Sequence, residues 1–397
     1  MTNVNFIKYL FFAGLLLLFL GCANEHSEKG SFGYDLDFLQ KYQEVITLSE
    51  NDGKSQLVVL PELQGRIMTS TSNGLQGNSY GWMHYDLIAS GKFEEHINPF
   101  GGEDRFWMGP EGGQYSIFFK KGTEFTFDNW YTPKELDTEA FEVVNVSISE
   151  VSFHKKMNLK NYQDFEFTID VHRKVILFDK SSIEQNLAMK LPPEIDYVGY
   201  QSENKIVNTG MQAWSKETGL LSVWILGMYN PSKSTTVIIP YKDSLSLNTA
   251  YFGDPPAGRL TTTDTHILFK GDGTARFKVG LPPHNILPFI GSYDAKKQIL
   301  TVVHYSFHGD TTYVNSMWSH QEKPYAGDVV NSYNDGPLDN GQQLGPFYEL
   351  ESSSSTRELQ PNEFIEHTHA TYHFEGDFEA LNAISKQLLL KDLSELN

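Results

Sequence analysis

Between Gly101 and Gly113 a short stretch carries Glu103, Asp104, Arg105, Trp107 and Glu111, with Gln114 just beyond it. Glycine on both sides lets backbone approach a ligand closely. A carboxylate, a guanidinium and an indole together can recognise a sugar, because Arg forks onto adjacent hydroxyls or a carboxylate while Trp stacks on a ring. The same residue types also make an Arg–carboxylate pair that pins a long loop. Glu349 and Glu351 are two apart on a predicted strand, so they face one side together with Phe347. Two carboxylates on one face are costly if buried and unpaired. They belong in solvent, on a metal, or in a cleft where a raised pKa suits a general base.

The histidines offer further proton carriers. His84 lies beside Trp82 and Tyr85, and His320 close to Trp318. His304 and His308 can share a strand face. His367, His369 and His373 alternate on a late strand, an His-x-His ligand pair without a third ligand at a known offset. Asp328, Asp335 and Asp339 fall among Asn331, Asn334 and Asn340. Oxygen-rich stretches of that kind bind calcium or cap their own turns. No cofactor is required by these residues, and calcium is the one candidate. There is no Gly-x-Ser-x-Gly elbow, Walker loop or dinucleotide fingerprint.

The elements that must position these groups are mostly strands. Residues 57–60, 141–153, 167–177, 205–208, 221–226, 234–240, 265–269, 275–280, 299–305, 348–351 and 364–374 read as strands. Gly, Pro, Asn and Asp punctuate them. Helical spacing is confined to residues 34–48 and, more clearly, 378–396. Many short strands with few helices argue for large antiparallel sheets packed as a sandwich. No linker or repeat interrupts residues 34–397, which are read as one domain.

The N-terminus reads differently. Lys8 precedes an apolar run over residues 9–20, too short for a membrane-spanning helix, which needs about 20 apolar residues. Residues 1–21 are read as a signal peptide. The run closes on Leu20-Gly21-Cys22, which resembles the lipobox of bacterial lipoproteins, so Cys22 is the expected lipidation site and residues 22–33 a tether. Cys22 is the only cysteine, so no disulfide forms within the mature chain. The expected location is a lipid anchor in a bacterial membrane, the outer membrane, on its periplasmic or cell-surface side. A net charge of −19 repels polyanions, which argues against nucleic acid as a partner. The 27 Phe and 20 Tyr exceed what a core usually takes, and surplus aromatics often line sugar clefts.

Three stretches resemble galactose mutarotase-like proteins. These are Pro61-Glu62-Leu63-Gln64-Gly65-Arg66-Ile67, then Gly101-Gly102-Glu103-Asp104-Arg105-Phe106-Trp107, and Asn331 to Pro337 followed by Pro346 to Ser352. As a whole the mature chain resembles a family of Gram-negative lipoproteins of unassigned activity. The resemblance implies an all-β supersandwich with a short C-terminal helix and a concave face that holds an oligosaccharide or polysaccharide. The acid motif Asn-His-x-Tyr-Phe-Asn of galactose mutarotase has no counterpart; His304-Tyr305-Ser306-Phe307-His308 lacks the preceding Asn.

Three functions fit. The first is β-elimination on a uronic-acid unit, a lyase or dehydratase step in polysaccharide breakdown. It needs a carboxylate neutraliser (Arg105 or Arg66), a base (His84 or His308) and an acid (Tyr325 or Tyr333). The second is an aldose mutarotase or epimerase with a His acid and a Glu base such as Glu349. The third is sugar binding without catalysis. The expected catalytic set is Arg105, His84, His308, Glu349 and Tyr325. The expected substrate contacts are Arg66, Glu103, Trp107, Glu111, Gln114 and Glu351. Arg105, Trp107, His84, His308 and Glu349 are expected on one concave face, with the glycine-rich loop 101–113 folded over it.

Overall fold

A computed structural model describes residues 27–338 and 340–396. The expected signal segment and lipidation site, Cys22, and also Asp339 lie outside the described residues. The strands, in chain order, are β1 (Ile46–Glu50), β2 (Ser55–Leu60), β3 (Arg66–Thr71), β4 (Arg105–Gly109), β5 (Glu142–Val146) and β6 (Glu150–Lys160). Then come β7 (Glu166–Leu177), β8 (Asp196–Asn208), β9 (Ser222–Tyr229), β10 (Thr235–Pro240), β11 (Leu260–Thr262) and β12 (His266–Lys270). The last are β13 (Phe277–Leu281), β14 (Phe289–Asp294), β15 (Ile299–Tyr305), β16 (Val330–Asn334), β17 (Tyr348–Ser353) and β18 (Phe364–Glu375). The helices are α1 (Phe32–Leu39), α2 (Tyr85–Ser90), α3 (Lys134–Asp137), α4 (Lys180–Asn186) and α5 (Phe378–Leu388).

Ten strands form one antiparallel sheet in the order β11-β12-β10-β14-β15-β18-β8-β7-β6-β5. Five form a second, β13-β16-β17-β9-β4, and β1-β2-β3 a third. The large sheet joins strands from the middle and the end of the chain: β18 pairs with β8 along twelve residues and with β15 on its other side. The chain is therefore, as expected, an all-β sandwich of antiparallel sheets with a short C-terminal helix.

Alternation decides what each sheet buries. In β7, Phe167, Ile169, Val171 and Val175 point into the core, while Asp170 and His172 point out. The outer side of the large sheet is partly covered by α5, whose Leu381, Ile384 and Leu388 pack near Leu300, Val302 and Phe374. Asp377 caps that helix by accepting from the Ala380 N–H. The helix expected over residues 34–48 is shorter: α1 ends at Leu39 and β1 follows. Phe32 and Gly33, expected in a tether, instead begin α1, and Phe32 is fully buried. Residues 141–153 hold two strands rather than one. Among the described residues no helix is long and apolar enough to cross a membrane.

Candidate active site

The five-stranded sheet has two unlike faces. Its inner face meets the large sheet: Ser352 contacts His367 and His369 of β18, and the hydroxyls of Tyr348 and Ser292 meet at 2.8 Å. The odd-numbered residues of β17 therefore turn outward. Register across β4, β9 and β17 aligns Arg105, Leu226 and Glu351, and next to them Trp107, Trp224 and Ser353. Lys278 of β13 pairs with Tyr333 of β16 on the same side. The outer face thus gathers Arg105, Trp107, Trp224, Lys278, Glu349 and Glu351.

The charges there are unevenly matched. Lys278 Nζ and Trp224 Nε1 each donate to Oε2 of Glu351 at 2.9 Å. Among the described residues, Oε1 of Glu351 has no N–H donor. Among the described residues no cation is bonded to Glu349, and burial with the charge of Glu351 holds its carboxyl well above the usual range. Arg105 gives Nη2 to Asp137 of α3 at 2.7 Å and lies 4.2 Å over Trp107. Its Nε and Nη1 are buried and find no acceptor among the described residues. Such groups are rare because each orphan costs about 1–3 kcal/mol.

Loops complete the face. Glu111 accepts from Trp318 Nε1 at 3.1 Å, and burial pushes its carboxyl up to about 7. An aromatic ladder runs behind these groups, from Trp107 to Phe118, Trp130 and Trp318 at centroid spacings of 5.2, 5.5 and 5.6 Å. Gln114 exchanges hydrogen bonds with the Gln321 backbone and so ties the two loops rather than facing a ligand. Tyr251 covers the face, its hydroxyl donating to Asp328 at 2.7 Å. The cavity left beneath it is about 10 Å³ and is lined by Trp224, Asn331 and Ser353 among others. A larger cavity of about 40 Å³ lies elsewhere, but its carboxylate, Asp294, is bonded to Ser234 and to backbone N–H groups.

Several expected site residues lie away from this face. Arg105 belongs to strand β4, not to a loop folded over the site. Glu103 is interior: it accepts from Ser70, from the Tyr200 hydroxyl at 2.6 Å and from His373 Nε2 at 2.7 Å. Glu103 lies in a bend just before β4, so strand alternation does not carry back to it from Arg105. A Cβ at Gly101 would lie 2.0 Å from the Trp82 carbonyl, so the turn needs glycine there. Arg66 is fully buried and holds that turn through the Gly101 carbonyl at 3.0 Å. His84 sits at the rim, edge-on to Trp82, and its Nδ1 accepts the Leu87 N–H as the cap of α2.

His308 is exposed beyond β15, and the titratable group it acts on is His367, between the sheets. His304 turns to the outer side of the large sheet against Phe289. Tyr325 donates to the Lys216 carbonyl and stacks on Tyr115, far from the acids of β17 in its contacts. Asp328 and Asp335 flank opposite ends of β16, too far apart for one calcium ion, and their oxygens already accept from Asn248, Tyr251, Tyr333 and Gly345. His367 and His369 share Ser352 between the sheets. Lys278, Trp224 and Asp137 were not expected at the site.

A family model described as "Family of unknown function (DUF6786)" matches residues 30–397. No curated protein is similar to the chain in sequence. Among solved structures, the Slr1438 protein from Synechocystis sp. PCC 6803 superposes with a TM-score of 0.50 at 11% identity, covering 84% of this chain and 96% of that one. A galactose mutarotase-like protein from Lactobacillus casei matches with a TM-score of 0.48 at 10% identity, over 83% and 100%. The GalM/aldose epimerase homologue from C. elegans matches at 0.47 and 11%, over 84% and 99%.

Proposed function

The chain belongs to the family of unknown function DUF6786, and from that premise we propose that it is a carbohydrate-active protein working on the outer face of the five-stranded sheet. The reading favoured is aldose mutarotase- or epimerase-type chemistry at the anomeric carbon. It rests on one observation: two carboxyls on this face are held above the usual range to different extents, Glu349 well above it and Glu111 at about 7. Carboxyls whose environments push them apart divide into acid and base. Glu111 takes the proton of the anomeric hydroxyl as the ring C–O bond breaks and a carbonyl forms. Glu349 gives its proton to the ring oxygen. Rotation and reclosure return both protons. The indoles of Trp107 and Trp224 supply an apolar floor and Arg105 the donors for hydroxyls. Optical-rotation decay of a freshly dissolved aldose tests this; a rate unchanged by the protein across common aldoses would reject it.

A second reading, β-elimination on a uronic-acid unit, draws on the two undonated N–H groups of Arg105, which suit a substrate carboxylate. Its His base and Tyr acid would have to be residues other than His308 and Tyr325. Ultraviolet absorbance from a new conjugated double bond on oligouronides distinguishes it.

The lipobox ending in Cys22 supports a lipid anchor in a bacterial membrane, in keeping with breakdown of extracellular polysaccharide. Cys22→Ser should release the protein from membranes or leave it unprocessed. A variant that fractionates and migrates like the wild type would reject the anchor.

A further inference from the structure

The outward side of the ten-stranded sheet carries a polar cluster that the sugar face does not use. His154 on β6 and His172 on β7 are direct cross-strand partners, with ring centroids 5.2 Å apart. Asp170 precedes His172 by two residues and turns to the same side. Nε2 of His154 contacts Asp170 Oδ1, and Nε2 of His172 lies 3.8 Å from Asp170 Oδ2. One ligand atom from each of the three lies within 4.8 Å of the other two.

We propose that His154, Asp170 and His172 form a binding site for a divalent transition-metal ion of the zinc class. The donor set selects the ion: two imidazoles with one carboxylate suit zinc, nickel or copper, whereas calcium and magnesium take oxygen. The scaffold is preorganised, because antiparallel register sets the spacing of a directly opposed pair and no loop has to be ordered. Beneath the cluster Phe153, Val171 and Arg173 are buried, which fixes both strands. The second nitrogen of His154, Nδ1, lies 4.0 Å from Oε2 of Glu142, its register partner on β5. A small rotation of that exposed side chain lets it accept the Nδ1 proton, an arrangement that orients a metal-bound imidazole. His172 is exposed, so remaining coordination positions open to water. Of the lysines alongside, Lys174 is paired with Glu150 at 2.6 Å and Lys205 with Glu366 at 3.4 Å, while Lys156 stands exposed opposite Asp170. Both sheets separate the cluster from the sugar face, so metal binding can be read apart from turnover.

The test is zinc titration of the full chain, stripped with EDTA, against a chromophoric chelator at about pH 7.5. The wild type should take up one equivalent and gain thermal stability with it. His172→Ala, a surface change, should lose that equivalent and the gain while keeping the metal-free melting temperature. Glu142→Gln should weaken uptake about tenfold. No uptake in competition with the chelator, or an equivalent kept in His172→Ala and in Asp170→Asn, would overturn the site.

Discussion

Glu349 and Glu351 stand two residues apart on the same face of β17, yet only Glu351 has a cation bonded to it, Lys278 Nζ at 2.9 Å. The neighbouring negative charge and burial keep the proton on Glu349. Glu349→Gln removes that proton while keeping the shape. Turnover of the active aldose should fall about 100- to 10,000-fold, with KM little changed. Glu351→Gln leaves Lys278 buried without its ion pair, so it should cost stability as well as rate. Equal, mild effects of both changes on sugar binding, with no substrate consumed, would point to a binding protein.

The pH dependence follows from Glu111. As the base it works only when deprotonated, so kcat/KM should rise with pH through about 7. Glu111→Gln should lower the rate and erase that rise. A profile that rises at the same pH in the variant would assign the titration to another group.

Trp107 is 2% exposed, with Arg105 on one side and Phe118 alongside. It is a core residue as much as a sugar contact. Trp107→Ala should destabilise the fold by about 3–5 kcal/mol by denaturant titration. A variant as stable as the wild type with weaker sugar binding would place the indole in contact with ligand alone.

The common face of Glu349, Glu351 and Phe347 was legible because a strand has period two and residues 348–351 read as a strand. Lys278 was within reach of the same argument, since it alternates with Phe277 and Val279; what no local pattern told is that its face is covered. β4 escaped notice because Gly101, Gly102, Gly109 and Pro110 crowd five strand residues and read as loop. Glu103 lies in the bend before that strand, so its spacing of two from Arg105 misleads. Glu111 and Trp318 meet across 207 positions between two loops, where neither periodicity nor turn chemistry carries information.

His367 and His369 are held neutral by burial, pushed down to about 3 and about 4. In the unfolded chain both titrate near 6.5. Below that pH the unfolded state binds protons that the native state refuses, so stability is lost as pH falls towards 4. Each group contributes up to about 1.4 kcal/mol per pH unit. Buried carboxyls with raised pKa, such as Asp328 and Glu111, act in the opposite sense, so the measurement is a difference. The drop in urea midpoint between pH 7 and about 4.5 should be smaller in His367→Gln than in the wild type. Parallel curves would show that His367 is not neutral in the native state.

Access to the sugar face gives the last prediction. The cavity of about 10 Å³ there has room for about one water. The segment carrying Tyr251 and Phe252 therefore has to lift before a sugar enters. Its base is fixed by two backbone hydrogen bonds between Asn248 and Gly280; beyond that, Tyr251 and Asn248 donate to Oδ2 of Asp328 at 2.7 and 2.8 Å, and Phe252 lies 4.6 Å from the Arg276 guanidinium and 5.4 Å from the Tyr333 ring. Tyr251→Phe removes one hydrogen bond and keeps the ring. A loss of about 1 kcal/mol from the closed form alone shifts the opening equilibrium about fivefold. If the closed form dominates, the apparent Kd for the sugar should tighten by that factor while the global melting temperature barely moves, because the segment opens locally. An unchanged Kd in Tyr251→Phe would mean that the segment does not gate the face.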